Sequence, residues 1–258
     1  MTKSFYDLHV IQGITGEQTA ISRSLGLDGV CAVRPFESEY TVVDTASGTA
    51  GQNRLQMLSG ALISAKNPED VQKKARSALE CGADLILIEG GDEEINRAAS
   101  ECWEVDVICH PERVSGKDPL DQKNSGVDDV MARFMAERGI AIEIRLSELL
   151  SCYGVVRAQV MGRMRQNIRL AKKYKTPIII TSGARDRLGM RAPQDLSSLG
   201  ITLGMDVGQA KKAVSDFPAM LIKKSSDRRD SDVLLAGLEV VSWGTSKGNP
   251  RKKMFGWY

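Results

Sequence analysis

Histidine is nearly missing from this sequence: 258 residues contain only His9 and His110. A multinuclear hydrolytic metal centre holds several nitrogen and carboxylate ligands together, so this scarcity argues against one. Cysteine offers no scaffold either. The five residues Cys31, Cys81, Cys102, Cys109 and Cys152 are odd in number, widely spaced and never form a Cys-x-x-Cys pair. That excludes a disulfide framework or thiolate zinc module and leaves reduced, mostly buried thiols. The longest apolar-rich runs, such as Ala83 to Ile88 and Pro177 to Ile180, fall far short of the roughly 20 residues that cross a bilayer. The chain opens on Thr2-Lys3-Ser4 and enters a strand-like segment at once. With no charged-then-apolar leader and no membrane partner, a cytoplasmic location is expected. An excess of one charge is absent as well. A net charge of +2 and a pI near 8.2 are mild for a nucleic-acid binder, so local clustering has to decide. Walker A, Gly-x-Gly-x-x-Gly, Gly-x-Ser-x-Gly and His-Glu-x-x-His patterns are all missing.

What is present is a regular alternation. Short β-branched runs at Phe5–Ile11, Gly29–Val33, Gly60–Ala65, Leu85–Ile88, Asp106–Cys109, Ala141–Leu146 and Pro177–Thr181 give seven candidate strands. Helical patterns lie between them, clearest at Pro68–Cys81, Asp92–Cys102, Val127–Arg138 and Val155–Tyr174, with Asn67 as N-cap before Pro68. Such an order demands parallel strands with helical crossovers, and strands apolar on both faces suit a sheet covered on every side. The expected fold is therefore α/β: a TIM-like barrel of seven to eight parallel strands, of the class that includes the polymerase-and-histidinol-phosphatase (PHP) barrels. An open doubly wound sheet is the alternative. Ile201–Met205 or Ala219–Ile222 would supply the closing strand, and Pro35–Gly51 reads as an excursion without an assigned place. Residues 1–243 are read as one domain. The Gly-rich basic stretch 244–258 is read as a flexible tail whose Lys247, Arg251, Lys252 and Lys253 stand beside Phe255, Trp257 and Tyr258, a combination suited to RNA or to partner docking.

Barrels of this kind gather function at the C-terminal ends of their strands. The residues there are Asp7 and His9, Arg34, Lys66, Glu89, His110, Arg145, and Ser182 with Arg185. The segment from Ser182 through Arg185 and Arg187 to Arg191 follows the seventh strand, where barrels commonly bind phosphate. Pairing of these arginines with Asp186, Asp195 and Asp206 is the competing use. Asp7-Leu8-His9-Val10-Ile11 stands where a metal-dependent PHP phosphoesterase carries His-x-His, but here the second histidine is Ile11. A site of Asp7, His9, Glu89 and His110 would serve such an enzyme, and a structural hydrogen bond is the plainer use of a lone strand-end histidine. The pair Cys109-His110 could be nucleophile and base, yet neighbours on a strand point to opposite faces. Gly90-Gly91 reads as a tight turn into the next helix. On the helix Val155–Tyr174, Arg165, Arg169, Lys172 and Lys173 form a basic stripe. Val156, Val160, Met164, Ile168 and Ala171 fall on another side.

Several stretches together resemble the family of archaeal ribonuclease P protein component 3, the counterpart of the thirty-kilodalton subunit of the eukaryotic enzyme. They are Phe5-Tyr6-Asp7-Leu8-His9, His110-Pro111, Ser125-Gly126-Val127-Asp128, Ala141 to Ile144, Thr181-Ser182-Gly183-Ala184, Met190-Arg191-Ala192-Pro193 and Leu203-Gly204-Met205. Their order and spacing follow that family over nearly the whole chain. Asp129 is a departure, because the family often places histidine there, and its negative charge opposes RNA contact at that spot. The resemblance implies a subunit of the ribonucleoprotein that removes the 5′ leader from precursor tRNA. In that assembly the RNA component performs Mg²⁺-assisted hydrolysis while this chain binds no cofactor or metal and supplies no catalytic residue. Implied partners are the ribonuclease P RNA, protein component 2, in a heterotetramer of two copies each, and the other protein subunits, with precursor tRNA as substrate of the assembly. The residues expected to contact RNA are Arg113, Lys123, Arg145, Arg165, Arg169, Arg185, Arg187 and Arg191, with Asp7, His9 and His110 as the vestige of a metal site.

Overall fold

The computed structural model describes residues 3–11, 16–37, 40, 42, 55–113, 118, 123–235 and 238–244. Seven parallel strands follow one another around a single sheet: β1 (Tyr6–Ile11), β2 (Gly29–Pro35), β3 (Gln56–Ile63), β4 (Leu85–Glu89), β5 (Val107–Cys109), β6 (Ala141–Arg145) and β7 (Ile178–Thr181). Sequential order throughout the sheet is that of a barrel rather than a doubly wound sheet, whose strand order reverses. The helices packed outside or between strands are α1 (Gly16–Ser24), α2 (Pro68–Glu80), α3 (Glu93–Ser100), α4 (Asp129–Arg138), α5 (Leu146–Ser151), α6 (Gly154–Tyr174), α7 (Pro193–Thr202), α8 (Val207–Ala213) and α9 (Asp216–Arg229). A short antiparallel pair, β8 (Val233–Leu235) with β9 (Leu238–Glu239), follows α9.

Strand alternation sorts side chains into two cores. Leu8, Cys31, Val33, Leu58, Leu85, Leu87, Val107, Ala141 and Ile179 meet inside the barrel. Ile63, Ile86, Ile88, Ile108, Ile142, Ile144 and Ile180 face outward against helical residues such as Val71, Ala75, Ile95, Met131, Met135, Met164 and Ile168. Burial of both faces explains why the strands read as unbroken apolar runs. Asp92 and Asp128 cap α3 and α4 by accepting amide hydrogen bonds from Ile95 (3.1 Å) and Met131 (2.7 Å). Asn67 stands at the N-cap of α2 without using its side chain, so Pro68 at the first position carries that start.

The closing strand expected at Ile201–Met205 or Ala219–Ile222 is not there. Ile201 and Thr202 end α7, and Ala219–Ile222 lies inside α9. Phe217, Leu221, Ser225 and Arg228 repeat at helical spacing, and Leu221 enters the barrel core with Phe217 and Ile222 beside it. This helix stops the N-terminal end of the barrel, where Arg228 grips the buried Asp106 through two hydrogen bonds (2.8 and 3.2 Å) and Lys224 reaches the same carboxylate at 3.2 Å. β1 itself closes the ring against the segment after β7. Val10 bridges Ala184, Ile11 donates its amide to the Ala184 carbonyl (2.8 Å), and Val10, Val30, Ala184 and Met190 pack over the seam. β3 begins at Gln56 rather than Gly60 because it pairs with β2 from Gln56 to Leu62, Gly29 standing opposite Gln56. Most of the excursion Pro35–Gly51 and residues 245–258 of the tail lie outside the described residues.

Candidate functional site

The polar residues of the barrel converge at its C-terminal mouth on Arg145, the last residue of β6. Alternation sends Ala141, Glu143 and Arg145 to the interior face, and Arg145 ends 5% exposed. Its Nη1 lies 3.3 Å from His9 Nε2, and its Nη2 lies 2.9 Å from His110 Nδ1 and 2.7 Å from Glu148 Oε1. Below it, Glu143 Oε1 accepts from His9 Nδ1 (2.7 Å) and Thr181 Oγ1 (2.6 Å), and Cys109 Sγ stands 3.9 Å from His9 Nδ1. A register shift in β1 between Asp7 and Val10 accompanies the placement of His9 in this network. After β5 ends at Cys109, His110 takes φ 33°, so Cys109 and His110 both reach the cluster although strand geometry predicted divergence. Cys109 and His110 nonetheless do not pair with each other, since the sulfur contacts His9 while His110 meets Arg145. The loop after β7 packs flat on the Arg145 stem. Gly183 has φ 62°, and a Cβ there would stand 2.5 Å from Arg145 Cγ and Cδ. Gly90 likewise leaves no room, a Cβ meeting the Cys109 carbonyl oxygen at 2.6 Å, which supports the tight-turn reading.

The charges follow from burial and neighbours. Burial works to raise the Glu143 carboxyl, but the His9 ring and the Arg145 guanidinium hold it well below the usual range. His110 is pushed down to about 3 by burial and by the Arg145 charge, so it is neutral. Asp7 is pushed up to about 6 by burial, against hydrogen bonds from the Ser182 and His9 amides (3.2 and 3.4 Å). Glu112, in the 3₁₀ turn Pro111–Arg113, has both carboxylate oxygens buried without a hydrogen-bond partner and is pushed up to about 8, first by burial and then by Glu148 and Glu143.

These residues do not fit the metal centre of a PHP phosphoesterase. Asp7 accepts the Ser182 and His9 amides through Oδ1 while its Oδ2 is buried without a hydrogen-bond partner. Glu89 Oε1 is 3.9 Å from His110 Nε2, but Asp7, His9, Glu89 and His110 do not gather within shared-ligand distance of one another. Among the described residues the only set of three potential ligands close enough to share an ion is His9, Cys109 and Glu143. Arg34 and Lys66 stand at and beyond the ends of β2 and β3, outside this network. Glu143 was missed by sequence reading although an acid in the apolar alternation Ala141-Ile142-Glu143-Ile144 marks an inward polar position. Arg163 was missed too. It is buried on the core side of α6 with Met164 and Asn167, and holds Asp118 (2.8 Å) and the Glu112 carbonyl (3.0 Å).

The other basic candidates lie on the surface. Arg113 and Lys123 are exposed near the mouth, 3.8 Å from Glu148 and 3.4 Å from Asp118 respectively. Arg165, Arg169, Lys172 and Lys173 run along one face of α6 as expected, with Arg165 donating to the Thr202 carbonyl at its edge (3.3 Å). Val156, placed on the apolar side from sequence, is instead 57% exposed, because the first turn of α6 projects beyond its neighbours. Asp129 forms an ion pair with Lys173 at 3.3 Å. After β7, Arg185 is exposed, Arg187 pairs with Glu17 (3.4 Å), and Arg191 donates to the carbonyls of Leu188 and Met190, so the competing use, pairing with Asp186, Asp195 and Asp206, is not made by these contacts. Arg145 is the member of the set turned inward.

Against known proteins, residues 4–230 match the model of the family described as RNase P subunit p30. Ribonuclease P protein component 3 of Methanococcus maripaludis strain C7 is 30% identical over 243 residues, covering 93% of this chain and 99% of that protein. The corresponding protein of Methanococcus vannielii is 32% identical over 247 residues, covering 93% of this chain and all of that one. Among solved structures, a chain of archaeal ribonuclease P with mature tRNA superposes with a TM-score of 0.72 at 26% identity, covering 91% of this chain and 98% of that chain. An amidohydrolase superposes with a TM-score of 0.52 at 13% identity over 88% of this chain and 75% of its own, a likeness of fold alone. No helix among the described residues is long and apolar enough to cross a membrane. With its model matched across nearly the whole barrel, this chain belongs to the RNase P subunit p30 family.

Proposed function

We propose that this chain is a protein subunit of ribonuclease P, the ribonucleoprotein that removes the 5′ leader from precursor tRNA, and that it supports the RNA component without supplying a catalytic group. The observation that carries the reading is family membership across residues 4–230, including the barrel mouth. Its partners in this reading are the ribonuclease P RNA, protein component 2 and the remaining protein subunits. Mg²⁺ held by the RNA supplies the hydrolytic chemistry. The mouth supports a non-catalytic role, because His9 and His110 each use a ring nitrogen to accept from Arg145 and Glu143 is held by His9 and Thr181.

The exposed cations Arg113, Lys123, Arg165, Arg169, Arg185 and Arg187 neutralise phosphates, so that RNA strands approach one another and bind their metal ions. Arg191, tied to two carbonyls, and the buried Arg145 shape the surface on which they stand. Arg169 and Arg185 have no acidic partner among the described residues and are the most available for this purpose. The test is the double variant Arg169→Gln/Arg185→Gln in the reconstituted holoenzyme. A pair of lost phosphate contacts lowers the slope of log affinity against log salt by about 1.4–1.8 in total. An unchanged slope and unchanged cleavage would remove these residues from the RNA face.

A further inference from the structure

Exposed apolar side chains are ordinary one at a time and informative when they stand together. At the corner between α5 and α6, Leu150, Tyr153, Val155 and Val156 all face solvent, Tyr153 at 76% and Val155 at 84% exposure. Gly154, at φ 54°, turns the chain from one helix into the other. The Tyr153 ring is held in place. Arg157 lays its guanidinium carbon 5.2 Å from the ring centroid and donates through Nε to the Cys152 carbonyl at 2.7 Å. A tyrosine and an arginine ordered before a partner arrives lose little freedom on binding, and both types are enriched among the residues that carry protein interfaces.

The charge around the corner has one sign. α6 starts without a side-chain cap and without an acid in its first turn, so the positive end of its dipole is left uncompensated. Arg157 adds a full charge beside it. The one acid of α5, Glu148, is taken by Arg145 at 2.7 Å and Arg113 at 3.8 Å. Leu150, Val155 and Val156 give a phosphate nothing to bind, so RNA does not account for them. A second copy of this chain would set the same cations and the same helix ends against each other.

We propose that the α5–α6 corner docks another protein subunit through a face with an apolar centre and carboxylates on its rim. Tyr153 and Val155 fill the centre, and Arg157 with the start of α6 meets the carboxylates. The proposal rests on the reading of this chain as a ribonuclease P subunit, and gives it a protein-binding surface apart from the cations assigned to RNA on α6 and after β7.

The test titrates the full-length chain against each of the other ribonuclease P protein subunits, protein component 2 first, with RNA omitted. Two variants are compared with the wild type. Tyr153→Ser/Val155→Glu removes the anchors and opposes the charge, whereas Tyr153→Ser/Val155→Lys removes the anchors and keeps its sign. Serine is a good N-cap and both positions are open to solvent, so both variants should keep the wild-type Tm. The expected result is that one subunit binds the glutamate variant at least about 30-fold more weakly than the wild type, with a smaller loss for the lysine variant. Equal affinity of wild type and variants for every subunit, or a loss seen only in a parallel titration with ribonuclease P RNA, would overturn the proposal and leave the ribonuclease P role standing. A wild-type chain that binds no subunit would also overturn it, and cleavage indifferent to the chain would take the role with it. Amide hydrogen exchange of the wild type keeps the question decidable if a variant does not fold. Protection of residues 150–157 by a bound subunit supports the docking, and unchanged exchange there overturns it.

Discussion

Replacing Glu112 by glutamine should change how the stability of this protein depends on pH. Glu112 stands directly after β5, with both carboxylate oxygens buried and without a hydrogen-bond partner. Burial, followed by the charges of Glu148 and Glu143, pushes its carboxyl from an ordinary 4.5 up to about 8. Between those values the folded chain keeps a proton that the unfolded chain has released. The contribution to stability is complete below the unfolded value and is lost as pH rises through the folded one. At about 1.36 kcal/mol for each pH unit, the whole span amounts to at most about 5 kcal/mol, a large share of the roughly 5–15 kcal/mol that holds a typical domain folded. Glutamine keeps the shape and carries no titrating proton, so its stability lacks this slope. Urea unfolding of both proteins at a series of pH values from about 5 to about 8 measures the difference. The variant's advantage over wild type should grow with pH by at least about 2 kcal/mol. Parallel curves would refute the assignment of a buried proton to Glu112.

At the other end of the barrel, Asp106→Ala leaves Arg228 buried without its bidentate partner and should cost about 3–5 kcal/mol, read as a fall in Tm of roughly 6–20 °C; an unshifted Tm would contradict the plug role of α9. Although burial works to raise it, Asp106 is held below the usual carboxylate range by Arg228 and Lys224. Its stabilisation is therefore present at neutral pH and lost as pH falls below about 4, and acid unfolding of the alanine variant should be correspondingly flatter there. Gly183→Ala puts a side chain at φ 62° against the stem of Arg145 and should cost about 1–3 kcal/mol in urea unfolding, while a neutral effect would mean that the loop after β7 moves aside freely.

The strands were legible because nearly every strand position is buried, so the runs of isoleucine, leucine and valine carry no competing polar pattern. The closing element was not, because Ala219-Met220-Leu221-Ile222 is apolar enough for either period, and only the wider repeat Phe217, Leu221, Ser225, Arg228 shows a helix. The mouth was half legible. His9, His110 and Arg145 were placed at strand ends, but Arg145 was read as a rim cation contacting RNA because its position in the alternation with Ala141 and Glu143 was not followed to its end. Tertiary placement of Glu112 and Arg163 depends on the loop after β5 folding back onto α6, a contact between residues about 50 apart that no local pattern announces.

The most direct test of the ribonuclease P role is cleavage of precursor tRNA by the cognate RNA with protein component 2 and the other subunits, at fixed Mg²⁺ and salt, with and without this chain. Strong dependence of cleavage on the chain, and no cleavage by the chain alone, is the predicted result. Cleavage that is indifferent to the chain, or phosphoesterase activity of the chain without RNA, would contradict it.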